Sequence, residues 1–199
     1  AANVARAAAH QALDPGALRL GLKWPNDLML RDEPANACVE HDTADDAMHT
    51  SACLGRKVGG ILIESVTVGT RRVAVIGIGL NVGAQRVADS DYGCAALSEI
   101  WPEATPQDVL ARVAPALAEA LRAFNDAGFA PIAQAFGQRD ILLGARVRTT
   151  DPAIAEGIAA GVALDGSLNV MVGATCRRLK SGEISVRPVA LPGKHGDVA

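Results

Sequence analysis

Two β-branched runs with glycines at their inner ends constrain this chain most. Ile61-Leu62-Ile63 and Val73-Ala74-Val75-Ile76 are joined by the segment Ser65 to Arg72, which contains Gly69. Runs of this kind pack well on a pleated surface, and a glycine between them lets the backbone reverse, so the pattern predicts an antiparallel hairpin with a buried centre. The first run is preceded by Lys57-Val58-Gly59-Gly60 and the second leads into Gly77-Ile78-Gly79-Leu80-Asn81. Glycine beside an apolar strand lets a ligand lie against the backbone, although a bulge or tight packing explains such glycines as well.

A third motif lies upstream. Leu18 to Leu22 is a short apolar stretch that runs into Lys23-Trp24-Pro25-Asn26-Asp27 and then Leu28-Met29-Leu30. It reads as strand, turn fixed by Pro25, and strand. Only 3% of the chain is aromatic, so a tryptophan inside this turn calls for a reason. A core position for Trp24 is the default reading.

The remaining segments fill in an α+β chain. Val4, Ala5, Ala8, Ala9, Ala12 and Leu13 follow helical spacing until Asp14-Pro15-Gly16. Thr105-Pro106-Gln107-Asp108 signals a helix start, and Val109, Val113, Leu117, Leu121 and Phe124 line one face up to Gly128. Pro115 within that run predicts a kink or break just before it. From Ala145 the texture is all-β. Short strands separated by Asp151-Pro152, Asp165-Gly166 and Ser181-Gly182 are expected over Ala145 to Thr149, Ala155 to Leu164, Ser167 to Val172 and Cys176 to Val186, with Asp165-Gly166 as a strong hairpin signal.

Residues 31 to 56 are polar and mostly acidic without a sustained period, as in a long insertion loop. Cys38, His41, His49 and Cys53 within it have the ligand types of a structural zinc site. Their spacing lacks the usual tight pairs, and Asp42, Asp45 and Asp46 favour a solvated acidic run instead. Cys94 and Cys176 complete four scattered cysteines, expected to be thiols.

A net charge of −3 argues against a surface built for nucleic acid, and no apolar run approaches a bilayer span, so a cytoplasmic location is expected.

The motifs also suggest chemistry. Lys57 can hold a carboxylate or phosphate as a mobile charge, Asn26 and Asn81 can supply amides to a nucleotide, and Asp27 can orient an amine. Together KWPND, KVGGILIE and VIGIGLN, in that order, resemble the catalytic domain of the biotin protein ligases, and the later SGEISVRP resembles the end of their small SH3-like domain. The resemblance runs from Asn3 to Pro188 apart from the loop.

It implies a mixed, mainly antiparallel sheet with helices, of the class II synthetase kind, over residues 1–139, then an SH3-like barrel over 140–190 and a tail over 191–199. It also implies biotin, ATP and Mg²⁺ as ligands and a biotin carboxyl carrier protein as partner. Lys57 and Asp27 become the catalytic candidates. Lys57, Gly60, Ile61, Gly77 and Gly79 would line biotin, while Lys23, Asn26, Asn81, Glu183 and Arg187 would face ATP.

By the same resemblance the Gly/Arg-rich segment that covers the adenylate is expected upstream of Ala1, so these 199 residues alone are expected to turn over poorly. The helix-turn-helix of bifunctional members is not found in this sequence. Where some members place a tryptophan over adenine, this chain offers Cys94 or Ala95 after Gly93. The strand edge from Ile61 to Val66 also offers itself to a homodimer. A lipoate ligase and a non-catalytic binding module are the competing readings.

Overall fold

The computed structural model describes residues 19–31, 55–84, 93–180 and 186–189. The predicted helix near the start, the bulk of the acidic loop with its four zinc candidates Cys38, His41, His49 and Cys53, the Ser181-Gly182 turn and Glu183 lie outside the described residues.

The first sheet contains β1 (Leu20–Lys23), β2 (Asp27–Leu30), β3 (Arg56–Val68) and β4 (Arg71–Leu80), in that spatial order and antiparallel throughout. The KWPND stretch turns between β1 and β2, with a cis Trp24–Pro25 bond. The hairpin turn is shorter than predicted: Val68 pairs with Arg71, which leaves only Gly69 and Thr70 between them. Gly69 has φ 61 and no described non-glycine residue has positive φ, as in a II′ turn.

The hairpin's predicted buried centre is not found. Its burial ends at Ile61, and Leu62, Ile63, Val66, Val68, Val73 and Val75 are all more than 40% exposed. Only the base of β3 is sandwiched between β2 and β4; from Ile61 onward β3 pairs with β4 alone among the described residues. A β-branched run reports strand geometry, and burial needs a covering element in addition.

A 3-10 turn over Leu97–Glu99 leads to α1 (Pro106–Ala127) and α2 (Ala130–Gly137). Thr105 caps α1, accepting from the Asp108 amide at 3.2 Å while Asp108 Oδ2 accepts from the Thr105 amide at 3.3 Å. Gly128 closes it with φ 66. The helix does not break at Pro115, which sits exposed within one continuous helix and removes only a single donor. Of the predicted apolar face only Val109 is buried, whereas Leu121 and Phe124 are 41% and 50% exposed.

The second sheet has spatial order β8-β7-β6-β5-β9, made of β5 (Arg146–Thr149), β6 (Glu156–Val162), β7 (Leu168–Val172), β8 (Thr175–Leu179) and β9 (Val186–Pro188). On either side of the Ser181-Gly182 separator the span predicted from Cys176 to Val186 supplies opposite edges: β8 pairs with β7, and β9 pairs with β5. The Asp165-Gly166 turn forms as predicted, with Gly166 at φ 86 and Asp165 Oδ1 accepting from the Ser167 amide at 3.0 Å.

The two sheets share one contiguous buried cluster. Leu22, Leu28, Met29, Leu30 and Val58 of the first sheet join Val147, Leu168, Val170, Leu179 and Val186 of the second through Ile141 and Leu142. The chain is stitched at the same place, since the Leu22 amide donates to Arg139 O at 2.7 Å and the Ile141 amide to Leu22 O at 3.1 Å. Among the described residues no helix is long and apolar enough to cross a membrane.

Candidate active site

Directly opposed residues of an antiparallel sheet share a face. Lys23 of β1 opposes Asp27 of β2, Asp27 opposes Gly60 of β3, and Gly60 opposes Gly79 of β4. One row therefore crosses all four strands: a cation, a carboxylate and two bare backbone positions. Leu62 opposite Gly77 is the next pair on that face. Asp27 and Gly60, in motifs far apart in sequence, thus become neighbours through register alone.

Lys57 enters the row by a local irregularity. It lies three residues before Gly60, and on a regular strand residues three apart point to opposite faces. The β2–β3 register shifts between Leu28 and Met29, so that Leu28 opposes Gly59 whereas Met29 opposes Lys57, and Val58 is passed over. This bulge re-aims Lys57 onto the Gly60 face. Its Nζ lies 2.5 Å from Asp27 Oδ1, while Lys23 Nζ lies 3.0 Å from Asp27 Oδ2.

The three charges differ in exposure. The side chains of Lys23 and Asp27 are 7% and 13% exposed, against 42% for Lys57. Burial acts to raise the pKa of Asp27, but hydrogen bonds from Lys57 and Lys23 and the charge of both ammonium groups outweigh it and hold the carboxyl below its ordinary value. Asp27 is therefore an ionised spacer between two cations, and the cluster carries a net positive charge toward the glycine floor.

The floor is open. A Cβ at Gly79 would meet no atom within 4 Å, and one at Gly77 only Leu62 O at 3.9 Å. At Gly60 it would lie 3.4 Å from Lys57 Nζ and 3.6 Å from Asp27 Oδ1, so this glycine gives the ion pair its room. Gly59 differs, because its Cβ would collide with the Gly79 carbonyl and lie 2.7 Å from Leu80 Cδ2. One glycine of the GG pair is thus a packing requirement and the other makes room for the Lys57–Asp27 pair on the candidate floor.

Ile61 is buried and exchanges bonds with Asn26: its amide donates to Asn26 O, and Asn26 Nδ2 donates to Ile61 O, both at 2.9 Å. Asn81 Nδ2 donates to Ala95 O at 3.1 Å and Lys57 O at 3.4 Å. Both amide nitrogens expected to reach a nucleotide are turned onto backbone carbonyls instead. Gly93 to Leu97 runs alongside, with Cys94 bridged in parallel to Lys57 and Ala95 buried. Arg187 is exposed on β9 of the second sheet, directly opposite Arg148.

Sequence reasoning did not anticipate Trp24's partner. The indole is 3% exposed, and its Nε1 donates to Gly166 O at 3.0 Å, which ties the site turn to the β6–β7 turn.

No protein-family model matches the chain. A biotin–[acetyl-CoA-carboxylase] ligase of Paracoccus denitrificans is 31% identical over 159 residues, covering 76% of this chain and 57% of that protein. The bifunctional ligase/repressor BirA of Escherichia coli (strain K12) is 28% identical over 177 residues, covering 86% of this chain and 48% of that protein. The chain thus spans about half the length of the curated relatives it matches.

Among solved structures, biotin protein ligase from Aquifex aeolicus superposes with a TM-score of 0.68 at 21% identity, over 94% of this chain and 71% of that one. The same enzyme in complex with biotin and ATP gives a TM-score of 0.68 at 21% identity, over 94% of this chain and 68% of the other. The antiparallel fold is that of these solved ligases, and the sequence relatives support the biotin protein ligase family for this chain.

Proposed function

We propose that the protein attaches biotin to a lysine of a biotin carboxyl carrier protein, using ATP. In the first step a biotin carboxylate oxygen bonds to the α-phosphorus and the bond to pyrophosphate breaks, giving biotinyl-AMP. In the second, the carrier amine bonds to the activated carbonyl carbon, AMP leaves, and the amine loses a proton.

The observation that carries this reading is the row from Lys23 to Gly79. A bare strip of backbone accepts a slim ligand body, and a net-positive cluster at one end accepts its anionic head. Gly60, Gly77, Gly79 and Ile61 form the biotin wall with their backbone, the Ile61 side chain being buried on the opposite face. The Lys57 ammonium, on the flexible and more exposed arm, meets the charge that develops between carboxylate and α-phosphate, which is where fixed charge accelerates most. Lys23 holds Asp27 from below and adds positive field toward the nucleotide.

Asp27 orients rather than abstracts. Its lowered pKa makes it a weak base, but once Lys57 turns to the adenylate, Oδ1 is released to accept an N–H of the incoming amine. We assign Arg187, with Glu183, to the ATP side, and residues 140–190 to an SH3-like barrel. The open edge of β3 beyond Ile61 is the place for a homodimer contact, and the reaction is assigned to the cytoplasm.

Magnesium does not fit as a protein-held ion on this wall. Among the described residues no three His, Cys, Asp or Glu side chains cluster, and both oxygens of Asp27 are engaged by ammonium groups. Mg²⁺ is assigned to the phosphates of ATP, which carry their own oxygen ligands.

The test is ATP–pyrophosphate exchange on the protein in its full encoded length, with biotin and lipoate compared. Exchange that depends on biotin, and falls steeply to a low but measurable rate in Lys57→Ala, is expected. Exchange supported by lipoate alone would point to the related ligase, and binding of biotin without exchange would point to a binding module.

A further inference from the structure

The bulge that turns Lys57 toward the site breaks the β2–β3 ladder, and the backbone groups around it need other partners. Asn81 reaches both carbonyls at the bulge: its amide donates to Val58 O at 2.8 Å, continuing the β3–β4 register beyond Gly59 and Leu80, and its Nδ2 adds a second donor to Lys57 O at 3.4 Å beside the Ala95 amide at 2.9 Å.

Asn81 also fastens the neighbouring segment to this point. Its Nδ2 donates to Ala95 O at 3.1 Å and its carbonyl accepts from the Leu97 amide at 2.8 Å. That segment closes the other side of Lys57, because the Lys57 amide donates to Gly93 O at 3.1 Å and the Ala95 amide to Lys57 O at 2.9 Å. The orientation of the amide follows from this arrangement, since its oxygen in the same place would face two carbonyl oxygens.

We propose that Asn81 is a positioning residue for Lys57: it clamps the β3 bulge, and through the bulge it sets where the Lys57 ammonium stands over the glycine floor. Its side-chain nitrogen acts on the protein backbone and not on the nucleotide. The geometric part stands on hydrogen bonds alone, while the kinetic part rests on the ligase reading above.

The experiment is a double-mutant cycle in biotin-dependent pyrophosphate exchange, using Asn81→Ala, Lys57→Ala and the double variant in the full-length protein. Asn81→Ala is expected to lower kcat by about 10- to 100-fold while leaving KM for ATP within about threefold, as expected when a catalytic group is misplaced without loss of a ground-state contact. Adding Asn81→Ala to Lys57→Ala is expected to slow exchange no further.

Multiplying losses in the double variant, or a large rise in KM for ATP with kcat intact, would overturn the proposal. Asn81→Ser, which keeps one donor, serves where the alanine variant folds poorly, and its kcat should fall between wild type and alanine. Hydrogen exchange tests the clamp independently of activity: the Lys57 and Ala95 amides should exchange faster in either variant at unchanged global stability. Unchanged protection there refutes the clamp even with the enzyme active, whereas a wild-type protein without biotin-dependent exchange refutes the ligase reading and leaves the amide measurement to decide the clamp.

Discussion

The indole N–H of Trp24 donates to the carbonyl of Gly166, 142 residues away and on the other sheet. This bond explains why a tryptophan stands among the polar residues of the first motif. The ring fills the shared core while the ring nitrogen holds the β6–β7 turn, so the walls of the site and the second sheet are connected at the residue next to Lys23.

Trp24→Phe keeps most of the buried ring and leaves the Gly166 carbonyl without this donor. A loss of about 1 kcal/mol is expected for a part-buried acceptor left without its donor, whereas Trp24→Ala should cost about 3–5 kcal/mol through the cavity it opens. Urea unfolding followed by far-UV circular dichroism measures both, and equal losses for the two variants would contradict this division between bond and packing.

The ion-pair cluster is asymmetric in the same measurable way. Asp27→Asn removes the carboxylate charge beside the Lys23 ammonium, which is only 7% exposed, and is expected to destabilise by about 3 kcal/mol. Lys57→Ala removes a half-exposed partner while Asp27 still serves Lys23, so a loss below about 1 kcal/mol is expected. A Lys57 variant as unstable as the Asp27 one would show that the cluster is structural throughout.

Alanine at the two kinds of glycine should separate folding from binding. Gly59→Ala forces a side chain against Leu80 and the Gly79 carbonyl and is expected to cost about 1–3 kcal/mol. Gly79→Ala meets open space, so its stability should stay within about 0.5–1 kcal/mol of wild type while biotin affinity falls. Calorimetric titration with biotin alongside thermal unfolding checks the pair, and unchanged binding by Gly79→Ala would remove that residue from the pocket wall.

Asp140 gives the fold a pH dependence. It is buried at the junction of the sheets; Oδ1 accepts from the Leu142 amide at 3.0 Å, and Oδ2 has no hydrogen-bond partner among the described residues. Burial raises its pKa to about 6 from an ordinary 3.8, against the opposing effects of the Leu142 bond and the Arg31 charge. Because the folded state holds the proton more tightly, this group favours folding below about pH 4, and stability drops by about 3 kcal/mol as pH rises through 6. Asp27 acts in the opposite sense, its contribution being present above 3.8 and lost as pH falls through its depressed value. Asp140→Asn keeps an acceptor for Leu142, so its stability should lack the decline between pH 4 and 6. An identical decline in both proteins would assign the slope to another group.

Much of the site was legible because it depends on residue type in short motifs. Asp27, Gly60 and Gly79 could be singled out from their neighbours, and antiparallel pairing of the predicted strands brings them together. The bulge was not legible: one skipped residue, Val58, decides which face Lys57 takes, and nothing in Lys57-Val58-Gly59-Gly60 announces it. The partners of Asn81 were not legible for a related reason, since an amide suits a nucleotide or a backbone carbonyl equally until the neighbouring carbonyls are placed. The exposed hairpin and the uninterrupted helix at Pro115 show the same limit for the fold, because local composition predicts conformation better than it predicts what will cover a surface.

The pairing of Gly60 with Gly79 has a further use in protein engineering. A site floored by hydrogen atoms instead of side chains can be made shallower in steps, and position 79 can be rebuilt without a repacking cascade because a first added carbon touches nothing. A graded series of small residues there offers a handle on which carboxylic acids the proposed ligase would accept, with the fold left as a constant.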